Sequence, residues 1–363
     1  MIAPARRAAF EVVRRTFDDD AYADRALASA VEGLDARDRA LAQRLAFGTV
    51  QRVRVLDFGI EQLGKRPVRK LDNPVKASLR LGGYQLAFTD LPQHAIVDDA
   101  VELVRAAGRE RAVPFTNAVM RRLAGGLRGL VASLPAGPVK ESYPDWIAEV
   151  WTRDLGAEAA LELMRAQNEP PALEVRAATP VGTPTDVPGA YVVERVDPRR
   201  MRPMSRACPD DERAQVTAVE IHPGRAAALA EQRLPRVDVV NADVREFDAH
   251  GFDRALVDAP CSGLGVLARR PDLRWRAQPL PELQAELLAA AGERVKPGGL
   301  VVYAVCTLNA DENEAVVDAS GLDVVPLIEW PQYAHPQRPE FLLTLPTRDH
   351  TSGFFIGRLR RPF

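Results

Sequence analysis

Cysteine is scarce in this chain, three in 363 residues. So small and odd a count gives no disulfide framework, and free thiols suit a reducing compartment. Histidine numbers five, scattered, and no Cys-x-x-Cys pair occurs, so no metal centre is expected. No apolar run reaches the ~18 residues that a membrane span needs. The opening residues, MIAPARRAAFEVVRR, are too charged for a secretory signal. These absences point to a soluble, cytoplasmic protein, and the length allows two or three domains. One absence is local: no glycine lies between Gly189 and Gly224.

What is present divides the chain. Residues 1–128 carry 22 Lys+Arg against 16 Asp+Glu, and the remainder 26 against 34. A basic N-terminal part suits a polyanion such as RNA, although a solvated helical face would give the same surplus. Val53, Leu56, Ile60 and Leu63 recur at helical spacing, on a helix expected to stop near Gly64 and Pro67. Ile96, Ala100, Val101 and Val104 repeat the signal up to Gly108. The segment VPFTNAVMRRLAGG then reads as a helix whose exit is its glycine pair. No strand pattern intervenes before about residue 130, so the first third is expected to be an all-α bundle.

The middle, residues 129–207, reads as a join: a Pro-rich stretch, a helix stopped by Pro170 and Pro171, and short strand-like pieces in ALEVRAATP and AYVVERV. From residue 208 the pattern alternates. VTAVEI, VDVVNAD, FDRALVDAP and GGLVVYAVC read as strands, and GRAAALAEQRL and LQAELLAAAGERV as helices. This order predicts a parallel-rich, doubly wound α/β sheet whose strands are covered on both faces. Ligands of such sheets bind beyond the carboxyl ends of the strands. At those ends stand Glu220, Asp243, Asp258, Cys261 and Cys306. An acid after the second strand of a nucleotide-binding half accepts ribose hydroxyls, which is the role open to Glu220, with Asp243 within reach of a base.

Two thiols and an acid on one rim suit covalent catalysis, and would serve if the reaction were methyl transfer to carbon 5 of cytosine. Carbon 5 of cytosine is a poor nucleophile. A thiolate adding to carbon 6 makes it reactive, an acid near ring nitrogen 3 stabilises the adduct, and a base later frees the thiol. Two small buried core thiols are the plain alternative.

Several blocks resemble known families. RRAAFEVVRR, RDRALAQRLAFGTVQR, LRLGGYQLAFTDLPQHAIVDDAVELV and FTNAVMRRL resemble the NusB-like RNA-binding domain, over about residues 4–125. This implies RNA contacts from basic side chains such as Arg6, Arg7, Arg121 and Arg122. VDAPCSGLG and YAVCTLNADENE resemble the two cysteine motifs of the Nop/Sun (RsmB-type) RNA cytosine-5 methyltransferases. RRPDLRW and SGFFIGRLRR are similar to two further blocks of that family, and SYPDWI and QNEPP to its linking segment. The resemblance implies Cys306 as nucleophile, Cys261 as the thiol that helps product release, and Asp258 as the acid of its motif. Asp258 would also face the cofactor. S-adenosyl-L-methionine is the implied methyl donor and small-subunit ribosomal RNA the implied partner, with no membrane and a monomer expected. Arg225, Arg270 and Arg274 are further candidate RNA contacts, and Cys208 has no motif around it.

One block of that family is absent. The donor site of this fold uses a first strand and a Gly-rich turn about 20 residues before the ribose acid. PMSRA resembles the segment before that block and VTAVEIHPGRAAALAEQRL the one after it, so the first strand and its loop are missing between Cys208 and Val216. The expected architecture is therefore an all-α NusB-like domain (1–128), a connecting helix and small α/β subdomain (129–207), and a Rossmann-like methyltransferase domain (208–363) lacking its first strand. The alternative function is that of a catalytically impaired family member acting only as an RNA-binding protein.

Overall fold

Apolar residues at three- and four-residue intervals dictate the helices of the first half. The computed structural model describes residues 2–170, three short strands at 174–176, 183–184 and 190–192, and residues 214–363. Cys208 lies outside the described residues. The helices are α1 (Pro4–Asp18), α2 (Ala23–Ala30), α3 (Ala36–Gln51), α4 (Val53–Gly64), α5 (Asn73–Phe88), α6 (Gln93–Ala106), α7 (Val113–Ser133), α8 (Pro138–Glu141), α9 (Asp145–Leu155) and α10 (Ala157–Ala166). Asp35 caps α3 by accepting the Asp38 N–H at 2.8 Å. α4 ends as expected, with Lys65 in the left-handed conformation after Gly64. Leu56, Ile60, Leu79, Ile96, Ala100, Met120, Leu123 and Leu127 share one buried core.

The glycine pair does not end α7, which runs on to Ser133. Leu123 and Leu127 are both fully buried, so the apolar stripe crosses Gly125 and Gly126 and carries the helix with it. No described helix is long and apolar enough to cross a membrane.

The chain forms two compact units. One is Met1–Pro170 together with Val266–Ala277, and the other is Pro171–Gly265 together with Gln278–Phe363. Helices α8–α10 thus belong with the first seven. So does RRPDLRW, although it is read late in the chain.

In the second unit β1 (Glu174–Arg176), β2 (Thr183–Pro184) and β3 (Ala190–Val192) form a small antiparallel sheet. Then follow β4 (Val216–Val219), α11 (Pro223–Glu231), β5 (Val237–Val240), β6 (Phe252–Asp258), α12 (Leu273–Arg276, within the first unit), α13 (Pro281–Arg294), β7 (Val295–Val305), α14 (Glu314–Asp318), β8 (Asp323–Val324), β9 (Leu342–Thr344), α15 (Pro346–Asp349) and β10 (Phe354–Arg360). β6 and β7 pair in parallel; β10 pairs antiparallel with β7, β8 and β9.

The parallel-rich, Rossmann-like sheet is present as expected, and its described strands fall into two pieces. β4 pairs in parallel with β5 in a separate two-stranded sheet, and β6 pairs with β7 only. Two apolar side chains near the division are exposed. Leu256 of β6 is 55% exposed, and Ile221, just after β4, is 59% exposed. Among the described residues no strand pairs between β4 and β6, and apolar side chains suited to a central sheet position lack neighbours there.

Candidate active site

The two cysteine motifs meet because β6 and β7 are parallel neighbours that end on the same side. Asp258, the last residue of β6, pairs with Ala304 of β7, and the Ala259 N–H continues the ladder to the Ala304 carbonyl at 3.2 Å. Pro260 has no N–H and ends it. The chain then turns back, so that the Gly265 N–H reaches the Cys306 carbonyl at 3.0 Å. Between these ties Cys261 Sγ lies 3.5 Å from Cys306 Sγ, and both thiols are free and half-buried.

The contact pushes the two thiols in opposite directions. The hydrogen bond from the Cys261 thiol, the largest effect, lowers Cys306 below the ordinary cysteine range, although burial and the Asp258 charge oppose this. Cys261 is pushed up by the same hydrogen bond and by burial, and stays a thiol. The thiolate is the nucleophilic form, so Cys306 is the poised member. Partial desolvation raises the Asp258 carboxyl, although the residue stays open to solvent.

Sequence reasoning missed the centre of the polar network beside the thiols. Glu312, in the stretch NADENE, is fully buried. Its Oε1 accepts from the N–H groups of Ser262 (2.9 Å) and Leu280 (3.1 Å) and from Gln284 Nε2 (3.1 Å). Its Oε2 accepts from the Ser262 hydroxyl, Asn309 Nδ2 (3.2 Å) and Thr307 Oγ1 (3.4 Å). The signal was the acid six residues after Cys306, in a motif already singled out. The C-terminal block SGFFIGRLRR also closes here. The Gly353 N–H donates to the Gly265 carbonyl at 2.8 Å, and a Cβ on Gly265 would stand 2.0 Å from Gly353 O.

The other strand-end acids lie on the two-stranded sheet. Glu220 is held by Arg225, with Nη2 at 2.7 Å and Nε at 3.0 Å, and accepts the His222 N–H at 2.8 Å. The Arg225 bonds, then the His222 one, hold its carboxyl below the usual range. Two residues read separately, as ribose acid and as RNA contact, thus form one ion pair. Asp243 is likewise drawn down to about 2 by Arg245, which donates from its guanidinium and its backbone N–H and also reaches Glu286 at 2.6 Å.

Several expected RNA contacts are turned to other work. Arg274 is fully buried in the first unit. Its Nη1 donates to Asn168 Oδ1 (2.8 Å) and the Gln51 carbonyl (3.1 Å), its Nη2 to the Gln167 carbonyl (2.9 Å), and its guanidinium lies 3.9 Å from the Tyr143 ring centre. A guanidinium so enclosed is not presented to RNA, and this corrects the sequence expectation. Arg6 likewise faces inward, onto Asp99 at 2.7 Å and Gln85 at 3.0 Å. Arg270 lies over the Tyr22 ring at 5.2 Å and is partly open. Arg7, Arg121 and Arg122 are exposed.

With this geometry in view, comparison with known proteins assigns the chain. Residues 209–360 match the model of the 16S rRNA methyltransferase RsmB/F family, and residues 3–125 match that of the NusB family. A Mycobacterium tuberculosis protein named as a methyltransferase, Rv1407, is 34% identical over 99% of this chain and 96% of its own length. That match extends over 443 residues, 80 more than the 363 of this chain, so the relative has at least that many positions with no counterpart here. Ribosomal RNA small subunit methyltransferase B of Klebsiella pneumoniae is 27% identical over 89% of this chain and 90% of its own. The crystal structure of PH0851, 18% identical, superposes with a TM-score of 0.77 over 99% of both chains and shows the same fold. The paired cysteine motifs on a Rossmann-like sheet, the NusB-like helices before them and the full-length similarity together make this chain a member of the RsmB/F methyltransferase family.

Proposed function

We propose that this chain carries the cysteine machinery of an S-adenosyl-L-methionine-dependent RNA cytosine-5 methyltransferase acting on small-subunit ribosomal RNA. The observation that supports it most is the 3.5 Å approach of Cys261 and Cys306, which draws Cys306 below the ordinary cysteine range. The Cys306 thiolate adds to carbon 6 of the cytosine. The electron pair displaced from the ring moves toward nitrogen 3, where Asp258, raised toward its protonated form, supplies or shares a proton. Carbon 5 is then nucleophilic. After substitution there, its proton must leave before the sulfur–carbon 6 bond can break. Cys261 is suited to that step. Once Cys306 is a neutral thioether, the hydrogen bond and charge that raised Cys261 are gone and only burial still favours its thiol; Cys261 gives that proton to solvent and, as thiolate, takes the one on carbon 5.

S-adenosyl-L-methionine would supply an electrophilic methyl group. Glu220 fits the ribose role only if it exchanges Arg225 for the hydroxyls. The backbone cradle does not fit: no glycine lies between Gly189 and Gly224, and among the described residues no strand pairs between β4 and β6. Only the steps on the cytosine ring therefore follow from these residues.

The glycine-free stretch favours a second reading, a catalytically impaired family member that binds RNA through its NusB-like helices, with Arg7, Arg121 and Arg122 the exposed candidates. In both readings the protein works as a monomer in the cytoplasm. Titration calorimetry of S-adenosyl-L-methionine into the purified chain separates them. Binding that weakens in Glu220→Ala supports the methyltransferase. No binding by the folded chain supports the RNA-binding reading.

A further inference from the structure

A fully buried carboxylate is costly unless its oxygens are satisfied. Those of Glu312 are satisfied by neutral donors, three to each oxygen. The donors come from three segments. Ser262 follows Cys261, Thr307 and Asn309 follow Cys306, and Leu280 and Gln284 open α13. Gln284 Nε2 also donates to the Pro260 carbonyl at 2.8 Å, and the Ser262 and Thr307 hydroxyls meet at 2.7 Å. Tyr303 fixes the backbone beneath by donating its hydroxyl to the Glu312 carbonyl at 2.7 Å.

We propose that Glu312 is the positioning residue of the cysteine pair, tying the loop of Cys261 to the loop of Cys306 so that the two sulfurs stay in hydrogen-bonding contact. A carboxylate suits this place because both its oxygens face donors, and charge-assisted bonds of this kind are about twice as strong as neutral ones. An amide in its place would turn two N–H donors toward donors. The proposal rests on reading Cys261 and Cys306 as the working thiols, but its test needs neither methyl donor nor RNA. Failure to bind S-adenosyl-L-methionine would sink the methyltransferase reading and leave this test untouched.

The readout is iodoacetamide labelling of Cys306 in the full chain across pH, resolved by peptide mass spectrometry. In Glu312→Gln the thiols separate and Cys306 loses the bond that favours its thiolate. Its labelling midpoint then moves to higher pH and labelling near neutrality slows about 3- to 10-fold, as for loss of one hydrogen bond. The sign separates this from a charge effect. The Glu312 charge opposes ionisation of both thiols, so deleting charge alone would move the midpoint down. A lowered melting temperature with an unmoved or lowered midpoint overturns the proposal. Should Glu312→Gln not fold, Asn309→Ala and Gln284→Ala each remove one donor; both are expected to raise the midpoint by less, and no movement in either overturns it.

Discussion

At the scale of single residues, the decisive feature is that one thiol serves the other. The reactive form is the thiolate, and Cys306 is lowered mainly by the Cys261 hydrogen bond. In Cys261→Ala that bond is lost. The alkylation midpoint of Cys306 should rise, and its rate near neutral pH should fall severalfold, the equivalent of roughly 1 kcal/mol. A midpoint that stays put or falls in stopped-flow thiol titration would mean that something other than Cys261 favours the thiolate. A second residue carries structure instead of chemistry. Arg274→Ala removes the donors that satisfy Asn168 and the Gln51 and Gln167 carbonyls, and leaves a cavity against Tyr143. The expected loss is about 3 kcal/mol or more, read as an earlier denaturation midpoint, with RNA affinity of the folded fraction unchanged.

At the scale of elements, α7 and the Gly265–Gly353 crossing show opposite uses of glycine. Gly125 is exposed within α7, and a Cβ there meets nothing within 4 Å. Gly125→Ala should therefore stabilise the chain by about 0.5–1 kcal/mol, visible as a raised melting temperature. Gly265 is the reverse. Its missing Cβ is what admits the Gly353 backbone, so Gly265→Ala must push the start of β10 away from the cysteine loop. A cost of about 1–3 kcal/mol is expected, together with faster hydrogen exchange at Gly353. Unchanged exchange there would show that the crossing is not held by contact.

At the scale of the whole molecule, the described strands keep the expected parallel-rich arrangement but fall into two sheets. In a complete doubly wound sheet, a charge at Leu256 would be buried and would cost several kcal/mol. Here Leu256 is 55% exposed. Leu256→Arg should cost less than about 1 kcal/mol, as at an ordinary surface position. A loss above about 3 kcal/mol in chemical denaturation would mean that the strand is covered in solution.

The sequence by itself determined the helical first half and the alternation in the second, and it shows the glycine-free stretch between Gly189 and Gly224. Helical spacing at Val53, Leu56 and Ile60, apolar runs such as FDRALVD, and the loss of every glycine from 190 to 223 are local signals that no packing is needed to read. It also placed Cys261, Cys306 and Asp258 at strand ends. Only the tertiary structure decided how the described strands divide, into β4–β5 and β6–β7–β10. Only it turned Arg274 from a surface charge into a buried one and gathered six donors onto Glu312. The physical reason is common to all three. Burial and partner choice depend on segments far apart in the chain, and residue type and spacing carry no record of which distant backbone will arrive beside them.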